Sequence, residues 1–184
     1  MPILVHEFDW PDRLVVGTVG RPGERTFYLQ ARTGTRTASV ALEKQQSAVL
    51  AETIDQLLHD LASQDDGLTI PAQAPPELVD DDPLDQPVEE DFRTGAIRLG
   101  WDPRTSQVLI EAFPVGEDPS DPDPEQEPSE MLRVKIPVGT ARAFVQRTLA
   151  VVQAGRPTCP RCGEPIDEDG HDCPLPDDAQ PGAA

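Results

Sequence analysis

Two stretches of the chain are written on one pattern, and this limits the fold more than any other feature. GRPGERTFYLQA (Gly20–Ala31) and WDPRTSQVLIEA (Trp101–Ala112) align without a gap. The alignment pairs Pro22 with Pro103, Phe27 with Val108, Leu29 with Ile110 and Ala31 with Ala112. Both alternate apolar and polar residues, the period of a strand buried on one face. LVVGTV and GAIRLG precede them as further strands, and the Pro/Gly or Asp-Pro residues between supply tight turns, so each copy begins as a hairpin.

A third strand follows each hairpin. TASVALE puts Ala38, Val40 and Leu42 on one face, and MLRVKIP does the same with Leu132, Val134 and Ile136. Each third strand runs into a helix. The first, about 44–61, carries Leu50, Ile54, Leu57, Leu58 and Leu61 at helical spacing; the second, about 140–154, carries Ala141, Phe144, Val145, Thr148, Leu149 and Val152. Gly155 and Pro157 are placed to end it. The pattern predicts an α+β fold of tandem duplicated βββα units: a first repeat over 1–63, a linker over 64–91 and a second repeat over 92–157 with an insertion at 117–130. The two copies can pack sheet on sheet, or form one sheet with both helices on one face.

Charge sharpens this division. The formal net charge is −19. Residues 64–91 hold ten acidic side chains and no basic one, and residues 117–130 hold seven and none. The remaining segments up to residue 157 carry fourteen basic groups against ten acidic. Runs such as DDDPLDQPVEED read as solvated spacers; the sharper reading folds them back over the basic surface to screen it from polyanions. No apolar run approaches the ~20 residues of a membrane span. MPILVHEFDW carries Glu7 and Asp9 and lacks the form of a secretion signal. A reducing, cytoplasmic setting is expected, because three clustered cysteines cannot pair completely.

Those cysteines stand in TCPRCGEPIDEDGHDCP, at 158–174. Cys159 and Cys162 form a Cys-x2-Cys turn followed by Gly163, and His171 and Cys173 lie eight residues beyond it, spaced for one side of an extended segment. This predicts a short zinc-knuckle-like tail in which Cys159, Cys162, His171 and Cys173 hold a structural Zn2+, with a disordered end at 175–184. Four protein ligands leave no vacant position, whereas a catalytic zinc keeps one open. An iron–sulfur cluster would need the histidine to replace a thiolate, and thioredoxin-like redox chemistry lacks its βαβ context.

No phosphate loop, nucleophile elbow or His-Glu-x-x-His helix is present. His6 and Glu7 are adjacent, so on a strand they point to opposite faces. Arg133, Lys135, Arg142, Arg147, Arg156 and Arg161 form a candidate anion-binding set, without the aromatic residues that accompany single-strand nucleic-acid sites. A non-enzymatic module with a protein partner is therefore expected first. The alternatives are a nucleotide- or RNA-binding module using the second repeat, and an enzyme acting on a phosphorylated substrate between the repeats.

The blocks PDRLVVGTVGRPGERTFYLQAR, VALEKQQSAVLAE, GWDPRTSQVLIEA, ARAFVQRTLAVVQAGRP and CPRCGEPIDEDGHDCP resemble, in order, an actinobacterial family of uncharacterised proteins, domain of unknown function 3090. The resemblance implies a cytosolic protein with no activity to transfer. The family's cysteine and histidine pattern falls on Cys159, Cys162, His171 and Cys173, while the ending LPDDAQPGAA departs from it.

Overall fold

The structure, a computed structural model, describes residues 2–21, 23–64, 67–117, 128–154, 159–163, 166 and 170–174. Most of the insertion (118–127), the expected helix stop at Gly155 and Pro157, Arg156 and the end at 175–184 lie outside the described residues. The chain runs through β1 (Leu4–Asp9), β2 (Arg13–Val19), β3 (Thr26–Thr33), β4 (Arg36–Leu42) and α1 (Lys44–Ser63). A 3-10 turn (Pro76–Leu78) leads to β5 (Phe92–Asp102), β6 (Gln107–Pro114), β7 (Glu130–Pro137) and α2 (Val138–Gln153).

The strands make one seven-stranded sheet in the order β1-β7-β6-β5-β4-β3-β2. Two antiparallel meanders, β2-β3-β4 and β5-β6-β7, meet at a short parallel seam that pairs only Val40 with Phe92 and Ala41 with Arg93. The chain thus takes the single-sheet alternative. Strand alternation sets the inner face in two rows. Val16, Leu29, Val40 and Phe92 stand side by side in one half. Phe8, Val134, Ile110 and Leu99 do so in the other. With Leu50, Ile54 and Leu58 of α1 and Phe144 and Val145 of α2 they form one apolar cluster. Each such side chain, taken fully out of water, contributes about 1.5–3 kcal/mol before entropy is counted.

Glu43 and Gln46 start α1 as a capping box, with the Glu43 amide donating to Gln46 Oε1 at 2.8 Å. Both helices pack on each other, and α2 also reaches β2, β6 and β7. The sheet is rolled, because its two edge strands are joined by only Trp10, Pro11 and Asp12. At that corner Trp10 takes φ +54° and donates its amide to Lys135 O at 2.9 Å. The roll carries β1 to the β3–β4 hairpin, where the Arg36 guanidinium sits 4.3 Å above the Phe8 ring and donates to Glu7 O.

β1, a strand the repeat pattern does not supply, belongs to neither meander and pairs parallel with β7. The larger difference is in the linker. Composition reads 64–91 as a solvated spacer, but residues 76–91 form a strap bonded across the outer face of β2, β3 and β4. Leu84 is buried against Gly17, where a β-carbon would lie 2.5 Å from Leu84 Cγ, so only glycine fits beneath it. Gln30 Oε1 accepts from the Asp85 amide at 2.8 Å and Gln30 Nε2 donates to Asp85 O at 3.1 Å. Asp91 Oδ2 accepts from the Ser39 amide and Asp91 N donates to Ser39 O, both at 2.8 Å. Asp80 receives Arg13 Nε at 2.6 Å and Arg147 Nη1 at 3.1 Å. Acidic residues fold here because buried cations of the sheet and α2 are their partners. The described ends of the 117–130 insertion are also engaged: Glu117 accepts from the Ser129 amide and hydroxyl, both at 2.8 Å, and Glu130 opens β7.

Candidate metal centre

The carboxy-terminal cysteines are held by a tight turn. The Gly163 amide donates to Cys159 O at 2.9 Å, and Gly163 takes φ +74°, a conformation that residues with a β-carbon rarely adopt. This geometry turns amides toward sulfur. The N–H of Cys162, then that of Arg161, lower the Cys159 thiol below its ordinary pKa, against an opposing effect of burial. Both stabilise the thiolate, the form that binds metal.

His171 and Cys173 close the set from the other side. Cys162 Sγ lies 3.7 Å from His171 Nε2, and the ligand atoms of Cys159, Cys162, His171 and Cys173 all lie within 4.8 Å of one another. Sulfur ligands at about 2.3 Å from a tetrahedral ion stand about 3.8 Å apart, so the four donors need only a small contraction to share one ion. Cys159 is buried, the other three ligands are half-buried, and all three cysteines are free of disulfides. The donor set therefore fits a metal ion, and the chemistry of three thiols and an imidazole is that of a borderline-soft cation.

The candidate anion-binding residues are not brought together. Arg133 and Lys135 alternate with the buried residues of β7 and face away from the helices; Arg142 and Arg147 sit on α2. Each already has an acidic partner. Arg133 Nε donates to Glu111 Oε1 at 3.0 Å, Lys135 Nζ lies 3.6 Å from Asp102, and Arg142 pairs with Asp55 and donates to Pro71 O. Arg147 donates to Val16 O at 3.0 Å and to Asp80. Arg161 stands in the cysteine turn, and Arg156 lies outside the described residues.

A cleft of about 560 Å³ opens between the β1–β2 corner, the strap and α2, lined among others by Trp10, Arg13, Glu77, Asp80, Thr140 and Arg147. Its arginines are spent on Asp80 and on the Asp82 carbonyl, which accepts from Arg13 Nη2 at 2.8 Å and from Arg147 Nη2 at 2.7 Å. Burial lowers the Arg147 pKa, while the hydrogen bond to Asp80 raises that of Arg13. His6 bonds to Glu130 at 2.6 Å, not to Glu7, which is exposed. His59 is exposed on α1. Sequence reasoning missed the Arg13–Asp80–Arg147 tie. One sequence signal for it was Leu84, a leucine inside an acidic run. No described helix is long and apolar enough to cross a membrane.

Fold and site together define a class: an α+β protein built on one rolled sheet, with a small carboxy-terminal cluster of three cysteines and a histidine able to hold a metal ion. The family model described as a protein of unknown function, DUF3090, matches residues 6–173, and the chain belongs to that family. No curated protein and no solved structure matches it.

Proposed function

We propose that the chain is a non-enzymatic protein-interaction module whose carboxy-terminal segment is folded by a structural zinc ion. The observation that carries this reading is the convergence of four soft donors within 4.8 Å. Three thiolates and one imidazole fill a tetrahedral shell, so the ion has no position left for water or substrate and its role is structural. Few apolar side chains lie between the two ligand pairs, so the metal supplies most of the folding free energy of that segment. The same element order, three strands and a helix, occurs twice, and the aligned positions Phe27/Val108, Leu29/Ile110 and Ala31/Ala112 are buried in both copies. Duplication of a βββα unit accounts for this. A reducing, cytoplasmic compartment would keep the thiols available.

Elemental analysis of gently purified protein tests the metal. One zinc per chain is expected, with a tetrahedral thiolate spectrum after cobalt substitution. Absence of metal, or a spectrum with bound water, refutes the structural role. Co-purification from the native host tests the interaction role, with a stoichiometric protein partner as the expected result.

A further inference from the structure

Trp10 is out of place as a structural residue. It stands at the β1–β2 corner with its side chain 65% exposed, so it adds little to the core, whereas Trp101 packs against that core. Its backbone sits at φ +54°, where asparagine or glycine is accommodated more readily than a bulky residue. The fold does not account for an exposed indole on a strained backbone, and such outliers gather at sites that hold something. Trp10 lines the cleft of about 560 Å³ between this corner, the strap and α2. Leu78 and Val79 of the strap line it too and are also exposed, while Pro11, Leu14 and Phe144, all buried, make its floor.

Acidic side chains line the same cleft. Asp12, Glu77, Asp80, Asp81 and Asp82 are set there against two basic residues, Arg13 and Arg147. Asp80 pairs with both arginines, and Asp85 pairs with Arg13 again and with Arg32, so these cations are already matched. Lys135 and Arg36 lie outside the lining and are engaged elsewhere, Lys135 with Asp102 and Arg36 with Phe8 and Glu7 O. Glu77 has no ion pair or hydrogen bond among the described residues. The Asp81 and Asp82 side chains act on Arg147 only through their charge. The cleft therefore holds an excess of negative charge beside an exposed aromatic face.

Indole and carboxylates together select a flat organic cation. A guanidinium stacks on an indole, is more weakly hydrated than an ammonium and can donate to two carboxylates at once, while its methylene stem lies along an apolar rim. A metal ion would leave Trp10, Leu78 and Val79 unused. Nucleic acid is repelled by the excess charge, and so is a second copy of this chain, whose net charge is −19. We propose that the cleft takes an arginine side chain presented by a segment of a partner protein, whose apolar neighbours cover Leu78 and Val79. This rests on the interaction-module reading and names its surface.

The test uses the full chain at about 0.15 M salt, where long-range attraction is screened, and a fluorescent, end-capped Gly-Leu-Arg-Leu-Gly peptide. The controls replace Arg with citrulline, which is neutral and of the same shape, or with Lys; argininamide alone is the small-cation control. Saturable binding of the Arg peptide is expected, about tenfold tighter than either control peptide. Bound peptide should shield Trp10, and not Trp101, from iodide quenching. Trp10→Asn suits the backbone of the corner, so it should weaken binding about tenfold without lowering the Tm. Glu77→Gln combined with Asp81→Asn, both on exposed strap positions, should weaken it likewise. Absent binding, equal binding of the citrulline or Lys peptide, unchanged affinity in either variant, or a lower Tm in Trp10→Asn each overturns the proposal. Argininamide binding as tightly as the peptide overturns it in favour of a small organic cation. A native partner still retained by Trp10→Asn would leave the interaction-module reading standing and remove only this cleft.

Discussion

Replacing Asp80 with Asn tests whether the strap belongs to the folded body. The change keeps shape but removes the charge and turns one acceptor oxygen into a donor. That oxygen faces guanidinium N–H groups: Arg13 donates to both carboxylate oxygens, at 2.6 and 2.9 Å, and Arg147 adds a third bond at 3.1 Å. The arginine side chains are only 8% and 10% exposed, so neither can turn to water without opening the contact between strap and sheet. Breaking a buried ion pair costs about 3–5 kcal/mol. Asp80 itself is 29% exposed, and Arg13 keeps a second carboxylate, Asp85, at 3.3 Å, so solvent and that partner reduce the figure to about 2–3 kcal/mol. For a chain of this size that is a fall in Tm of about 4–12 °C at pH 7.

The same reasoning fixes a pH dependence. The hydrogen bond from Arg13 is the main cause holding Asp80 below the ordinary carboxylate range; the Arg13 charge, the Asp82 amide and the Arg147 charge add to it against burial. A carboxylate whose folded pKa is depressed stabilises the fold above its unfolded value of about 3.9, and that contribution is lost as pH falls through the lower folded value. The Tm difference between the wild-type chain and Asp80→Asn should therefore be full from pH 7 to about 5 and shrink below about 4. Differential scanning calorimetry across that range measures it. A fall of less than about 2 °C at pH 7, or a gap that widens on acidification, would refute the assignment of Asp80 as a buried tie.

Other outcomes follow from the same geometry. Gly17→Ala should destabilise by about 1–3 kcal/mol because its methyl enters the space of Leu84; in a Leu84→Ala background the added cost should nearly vanish, and strict additivity in urea melts would contradict the contact. Cys162→Ser should abolish stoichiometric metal and raise proteolysis at 159–174 while the main unfolding transition stays in place. Loss of the sheet in that variant, read by far-UV circular dichroism, would contradict the division between body and tail. Chelation of the wild-type chain should reproduce the Cys162→Ser result and be reversed by added zinc.

The parts legible in the sequence are those with local rules. Alternation placed Leu29, Val40, Ile110 and Val134 on one face, and helical spacing placed Leu50, Ile54 and Leu58 on another, because side-chain direction follows from backbone period alone. The four cysteine and histidine donors were legible because a turn of fixed chemistry brings the first pair together. What was not legible depends on distant partners. The pairing of β1 with β7 joins residues more than 120 positions apart, and the strap's Asp80 reads as solvent-facing unless Arg13 and Arg147 are known to converge on it. A hint lay in Leu14-Val15-Val16. A strand apolar at consecutive positions is covered on both faces, and the second cover had to come from outside the sheet.

That second cover changes what the acidic composition means. Leu14 and Val16 point to the helices, while Arg13, Val15 and Gly17 lie under the strap and are buried. Without the strap, Arg13 and Arg147 would be cations beside an apolar strand face, and Gln30 and Ser39 would lose the partners that make them tolerable at 1% exposure. Excess charge alone therefore does not mark a segment as unfolded; what decides is whether opposite charges and unpaired polar groups wait at the place it crosses. In residues 76–91 the sheet provides them. The cost of ordering so polar a segment is met by a few fixed contacts, Asp80 to two arginines, Asp85 to Gln30, Leu84 over Gly17 and Asp91 to Ser39, and the last of these delivers the chain in register to β5. The strap is thus the reason the two meanders share one sheet: it leads the chain from the end of α1 back to β4, where Phe92 meets Val40.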